Sequence, residues 1–147
     1  MKSYTVVKTS GAPDWDAIAP LHADCVLWEA DCGVRMKQKL CYDDTALYVF
    51  QRAYESDVRA EYTAPLSPVH EDSCMEFFFS LTEYGRFVNF EINPNACLEL
   101  GFGPDRHERI RLCHKAESDT FRPVCTRTPD GWTAEYRIPL SFLRILY

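Results

Sequence analysis

The sequence predicts an all-β domain, an antiparallel β-sandwich of the immunoglobulin-like or jelly-roll-like kind. Three observations carry this. Apolar residues recur with period two along most of the 147-residue chain. Turn-forming residues punctuate it roughly every eight to twelve residues. Helical periodicity is almost absent, which leaves sandwich or barrel as the architecture. No repeat, linker or low-complexity tract divides the chain, so residues 1–147 read as one domain of ordinary size.

Residues 4–8 form a short β-rich run, and residues 14–23, broken by proline, fit a helical turn. Residues 34–42 alternate Val34, Met36, Gln38 and Leu40 against Arg35, Lys37, Lys39 and Cys41. Asp43, Asp44 and Thr45 supply turn chemistry, and residues 46–52 make the second strand of a hairpin. Residues 53–71, with Pro65 and Pro68, read as a loop long enough to be functional. Residues 74–81 (CMEFFFSL) are an apolar strand, Glu83-Tyr84-Gly85 turns the chain, and residues 86–93 are the next strand. Pro94 and Asn95 end it, and residues 96–102 continue the meander. A polar connection over 103–108 leads to strands over 109–114 and 121–127. Pro129-Asp130-Gly131 is a hairpin-type turn. Residues 132–138 follow it, Trp132 reading as core, and residues 139–147 fit a short C-terminal helix. That makes eight or nine strands.

A net charge of −6 and a pI near 5.2 exclude a phosphate-binding basic face, hence nucleic acid, and disfavour an anionic membrane surface. No stretch approaches a transmembrane span, and the opening MKSYTVVKTSGAPDW lacks the apolar region of a secretory signal. The seven cysteines are Cys25, Cys32, Cys41, Cys74, Cys97, Cys113 and Cys125, an odd count with no CxxC. They read as reduced, buried thiols, which with the missing signal favours the cytoplasm. No ligand spacing suggests zinc.

Signatures of catalysis are missing: no GxSxG, HExxH or GxxxxGK[ST] occurs, and the GxG of GFGPDR lacks a third glycine and a βαβ context. The informative stretch is 72–103. In FVNFEIN, Val88, Phe90 and Ile92 point one way, and Asn89, Glu91 and Asn93 the other. In the preceding strand Met75, Phe77 and Phe79 are the apolar face, and Glu76 and Ser80 lie opposite. Two adjacent strands then place Glu76, Asn89, Glu91 and Asn93 on one face, a set of carboxylates and amides suited to vicinal hydroxyls. The same face also reads as the solvated side of an antiparallel sheet. Tyr54 and Tyr62 in the long loop are the best aromatic candidates for a sugar ring, ahead of Tyr48, Phe50 and Tyr84. Arg106, His107, Arg109 and Arg111 form a basic cluster able to fork ligand oxygens or to pair with Asp105 and Glu108.

The stretch EDSCMEFFFSLTEYGRFVNFEINPNACLELGFG resembles the signature of family 9-type carbohydrate-binding modules, supported by YDDTALYVFQRA before it and GWTAEYRIPLSFL after it. The matching positions are Asp72, Ser73 and Glu76, then Asn89, Glu91 and Asn93, then the strand from Trp132 to Pro139. The resemblance implies a sugar-binding sandwich, often attached to or encoded near glycan-degrading enzymes. Members of the family clamp a sugar between tryptophans, but residues 68–70 read Pro-Val-His here. Calcium is implied by the resemblance alone, and no ligand cluster for it is legible. Relatives continue past the Ile-Pro strand, so the chain is expected to be C-terminally truncated. Its apolar end, Phe142 to Tyr147, then implies a homodimer.

The resulting expectation is a non-catalytic domain that binds a mono- or oligosaccharide. Glu76, Asn89, Glu91 and Asn93 form its floor, His70 and Arg109 its rim, and no metal takes part. The alternatives are a small glycoside hydrolase using Glu76 and Glu91, or a plain interaction domain with no sugar ligand. The thiol reading is checked by titrating denatured protein prepared under anaerobic conditions. All seven cysteines should react, and a count of one or three would reveal disulfides.

Overall fold

Strands form where the period-two pattern is strongest, and the computed structural model describes residues 3–23, 25, 33–83, 85–112 and 117–147. Ten strands occur among the described residues. They are β1 (Val7–Lys8), β2 (Leu21–Ala23), β3 (Arg35–Tyr42), β4 (Ala46–Tyr54), β5 (Met75–Phe79), β6 (Phe87–Ile92), β7 (Leu98–Gly103), β8 (Ile110–Leu112), β9 (Val124–Thr128) and β10 (Gly131–Pro139). Two short helices, α1 (Glu117–Phe121) and α2 (Leu140–Leu146), accompany them, with a 3-10 turn at Val69–Glu71. None of these helices is long and apolar enough to cross a membrane.

The strands form two sheets. The first runs β1-β3-β4-β10-β9, and β2 shares the β3 edge with β1; the second runs β5-β6-β7-β8. Every pairing is antiparallel except β1 with β3. The inner faces carry the apolar half of each alternation: Val49, Ala53, Trp132, Ala134, Tyr136 and Ile138 from one sheet, Met75, Phe77, Val88, Phe90, Ile92, Leu98 and Leu100 from the other. Phe90 joins the layers. Its ring lies 5.7 Å from Tyr136 across the sandwich, 5.3 Å from Phe121 of α1 and 6.2 Å from Phe142 of α2. Full burial of each such side chain contributes roughly 1.5–3 kcal/mol. The Trp132 indole donates to Glu55 Oε1 at 2.5 Å, satisfying the one polar atom of a buried ring.

Several sequence expectations shift. The segment 14–23 ends in β2, because Leu21, His22 and Ala23 find partners on β3. Phe121 ends α1 rather than opening a strand, since its ring is needed in the aromatic cluster. β4 runs on to Tyr54, held in register by Arg35 and Gly131. Tyr54 is therefore a strand residue, its ring beneath Lys37 and Arg52, and not a loop platform. Gly131 has φ +148°, and a Cβ there would lie 2.1 Å from the Ala53 carbonyl oxygen, so only glycine closes the β9–β10 hairpin against β4. The C-terminal apolar run divides: Phe142 and Leu143 enter the core, while Ile145 stays 83% exposed. Tyr84, Cys32 and residues 113–116 lie outside the described residues.

The long loop after β4 is tied down by Asp72. Its buried carboxylate accepts the Glu61 N–H at 2.9 Å, the Tyr62 N–H at 3.0 Å and the Asn93 amide at 2.9 Å, with Arg59 at 3.7 Å. Burial pushes the Asp72 carboxyl upward, but these donors outweigh it and hold the group below its ordinary value. A carboxyl depressed in the folded state stabilises above its unfolded pKa of about 3.9 and loses that contribution as pH falls through that range. Asp72→Asn should lower stability by roughly 1.5–3 kcal/mol at neutral pH. Its deficit should shrink on acidification through the lowered folded pKa, as read by urea melts at neutral pH and at about pH 2.5. An equal deficit at both would show that the charge is not what holds the loop.

Candidate functional site

The outer face of the second sheet is built by the residues that the core rejects. With Phe77, Phe90 and Leu100 paired inward, the alternation places Glu76, Glu91 and Glu99 opposite one another across β5, β6 and β7. Like charges facing across strands repel, so the row needs compensation. Arg109 Nη2 donates to Glu91 Oε1 at 3.1 Å, and Arg111 Nε lies 3.0 Å from Glu99 Oε1. Asn89 Nδ2 also donates to Glu91 Oε1, at 2.5 Å. His70, on the 3-10 turn, brings Nδ1 to 3.9 Å from Glu99 Oε2.

Arg109 reaches Glu91 by lying across the backbone of β7. A Cβ on Gly103 would sit 2.5 Å from Arg109 Cα, and one on Gly101 would sit 3.0 Å from Arg109 Cδ. The GFG sequence is thus a track for an arginine and no part of a nucleotide loop. The approach is set by Asp105, whose Oδ1 accepts the His107 N–H at 2.7 Å and the Glu108 N–H at 3.0 Å. Asp105 therefore shapes a turn, and the arginines pair with Glu91 and Glu99 rather than with Asp105 and Glu108.

Three polar atoms of this face are buried with no protein donor: Asn89 Oδ1, Glu91 Oε2 and Glu99 Oε2. All three are acceptors. Their residues are 1%, 2% and 7% exposed, whereas the side chains of His70 and Arg111 above them are 56% and 48% exposed. Glu76, on the edge strand, is exposed. Loss of water around it, then the Glu91 charge, raise its carboxyl above the ordinary range, and Arg109 and His70 pull back less strongly. Cys74 places its thiol beside Glu76 and Glu91, and burial pushes that thiol well upward, so it stays protonated.

The structure thus assembles His70, Glu76, Asn89, Glu91 and Arg109. Asn93 belongs elsewhere. It follows the end of β6 and is fully buried, its amide donating to Tyr62 O and Asp72 while its Oδ1 accepts the Asn95 and Cys97 N–H groups. Alternation fails there because the strand has stopped. Tyr62 lends its backbone to that cluster and its hydroxyl donates to Glu71. Sequence reasoning missed Glu99 and offered Arg111 only Asp105 and Glu108 as partners, where the structure pairs it with Glu99. The signal was available, since Glu99 alternates with Leu98 and Leu100 as Glu91 does with Phe90 and Ile92.

Metal binding fits these residues poorly. The donor triplets here are His70, Glu91, Glu99 and Cys74, Glu76, Glu91. Calcium takes about six to eight oxygens, and each triplet contains a nitrogen or a sulfur donor. Arg109 and Arg111 already neutralise two of the carboxylates. A larger hollow of about 720 Å³ lies elsewhere, between Leu40, Phe77, Phe79 and Leu143, but its lining is almost wholly apolar and does not suit a polar ligand.

Comparisons with known proteins agree with this geometry. The family model described as carbohydrate-binding family 9 matches residues 12–125. No curated protein matches the chain. Among solved structures, a candidate carbohydrate-binding protein from Bacteroides uniformis is similar at 22% identity and a TM-score of 0.80, over 97% of this chain and 75% of that one. A family 9 module from Caldicellulosiruptor kristjanssonii, in complex with cellotriose, is similar at 20% identity and a TM-score of 0.62, over 92% of this chain and 66% of that one. A structure of a family 9 module from the same organism, in complex with glucose, is similar at 19% identity and a TM-score of 0.57, over 95% and 66%. At these identities the structural likeness establishes the two-sheet fold. The family model runs through β2 to the start of β9 and takes in every residue of the polar face, and the chain belongs to carbohydrate-binding family 9, a family of binding modules rather than enzymes.

Proposed function

We propose that the outer face of the second sheet is the saccharide-binding surface of this module. Asn89, Glu91 and Glu99 are its hydroxyl-accepting floor, and His70, Glu76, Arg109 and Arg111 are its rim. One observation carries the reading: the buried polar atoms without a protein partner on this face are all acceptors, and the side chains of His70 and Arg111 beside them are half-exposed. An unpartnered buried acceptor costs roughly 1–3 kcal/mol, which a donor hydroxyl entering past His70 and Arg111 would recover. The arginines favour an uncharged donor over a metal ion. They cancel the charge of Glu91 and Glu99 while leaving one oxygen of each open. Guanidinium N–H groups not engaged by the glutamates are donors for sugar oxygens.

The ligand class is a mono- or oligosaccharide, supported by the family and by the cellotriose and glucose complexes of the Caldicellulosiruptor modules. In the whole protein the module would hold a glycan near a glycan-degrading activity. Glu76 and Glu91 stand side by side on one sheet face, and Glu91 is tied to both Arg109 and Asn89. That arrangement suits holding a ligand rather than flanking a scissile bond.

Two measurements test this. Titration with glucose and cellotriose should stabilise the protein against heat, by about 2.7 kcal/mol at a ligand concentration 100 times Kd. Asn89→Ala and Glu99→Gln should each weaken binding about tenfold, and the absence of any shift across a broad saccharide panel at millimolar concentration would refute the assignment. Chromogenic glycosides should pass unhydrolysed. Turnover that disappears in Glu76→Gln or Glu91→Gln would instead make this face an active site.

A further inference from the structure

The charges on the polar face do not cancel. Of the three glutamates in the row, Glu91 is paired with Arg109 and Glu99 with Arg111. Among the described residues no cation lies within 4.0 Å of the Glu76 carboxylate. The titratable groups around it are Cys74 on its own strand, Glu91 on β6, Glu99 on β7, Arg109 before β8 and His70 on the 3-10 turn. On its other side His22 of β2 shares with it a hollow of about 140 Å³, walled by Leu21, Ala23, Met36 and Gln38. The face therefore keeps one carboxylate without a paired cation, beside Glu91, which has a buried oxygen that can only accept.

A hydroxyl both donates and accepts, but a protonated amine donates three times and accepts nothing. We infer that the face selects a sugar bearing a free, protonated amine, whose ammonium group binds between the carboxylates of Glu76 and Glu91, the ring hydroxyls reaching on towards Glu99. This inference rests on the saccharide reading and names the substrate class within it. A 2-amino hexose is the smallest ligand that combines the ring hydroxyls with such a group. N-acetylation removes the charge and so removes the advantage. The selectivity has two pH limits. It fades at high pH as the amine loses its proton, and at low pH as Glu76 gains one, the latter above the usual carboxylate range because partial loss of water and the Glu91 charge raise that group. It weakens in salt, because Glu76 is exposed.

The experiment is calorimetry with glucosamine, N-acetylglucosamine and glucose near pH 6.5, at low and high salt. Wild-type protein should bind glucosamine about tenfold more tightly than glucose, a charge-assisted hydrogen bond's worth, and N-acetylglucosamine no more tightly than glucose. Glu76→Gln should bring the glucosamine-to-glucose ratio to about one, and Glu76→Asp should keep part of the preference. Melting curves on both variants confirm that they fold. Equal affinity of the wild type for glucosamine and glucose overturns this inference and leaves the saccharide reading standing. A preference that survives Glu76→Gln also overturns it. So does zinc, titrated alone, binding the wild type and blocking glucosamine. Failure to bind any of the three sugars overturns this inference, and the saccharide reading falls with it when cellotriose and the broad panel fail as well.

Discussion

Glu76, Glu91 and Glu99 stand in line because the core leaves them nowhere else to go. The sandwich closes by turning Phe77, Phe90 and Leu100 inward in one register. Side chains alternate along a strand, so the neighbouring glutamates must share the opposite face. A slip of one residue would bury the carboxylates and expose the phenylalanines. Repulsion along the row is thus a fixed consequence of packing, and the surrounding structure answers it. Arg109 and Arg111 supply the opposite charge. Glycine at positions 101 and 103 lets Arg109 lie close against the sheet. The polar face is as well defined as the core because the same register sets both.

The loops around that face are held by short-range polar contacts as well as by the buried Val69 and by Val58 against the core. Asp72 and Asn93 fasten the segment after β4, Cys97 Sγ donates to Ala64 O at 2.8 Å, and Arg111 donates to Leu66 O at 2.7 Å. Arg111 therefore serves both the glutamate row and the loop. Asp105 sets the turn that delivers Arg109. For the saccharide proposed above, acceptors held in this way would be oriented before binding, so little ordering entropy would be lost. Behind the sheet Gln51 links the two layers. It is fully buried, donates to Glu76 O at 3.2 Å and accepts from the Tyr136 hydroxyl at 3.3 Å. The backbone of the glutamate-bearing edge strand is thereby fixed from inside.

Local chemistry made much of this legible. Period two gave the sandwich, the hairpin over 34–52, the meander up to Phe102 and the shared face of Glu76, Asn89 and Glu91, because alternation depends only on the order of residues. The position of Trp132 in the core and the C-terminal helix were readable for the same reason. Tertiary structure decided what depends on residues far apart in the chain. Asn93 continues the alternation in sequence, yet Asp72 and Tyr62 claim its amide across more than a strand's length of chain. Tyr54 was placed in a loop until β3 and β10 extended β4 through it. Phe121 became the end of a helix because Phe90 and Phe142 needed its ring. The partners of Arg109 and Arg111 lie 18 and 12 residues away in the chain, and Gly101 and Gly103 gain their meaning only when Arg109 folds back across them. Which face a side chain takes is set by the steric alternation of its own strand, but which charge it meets is set by strand pairing and loop closure, and only the folded chain brings those together.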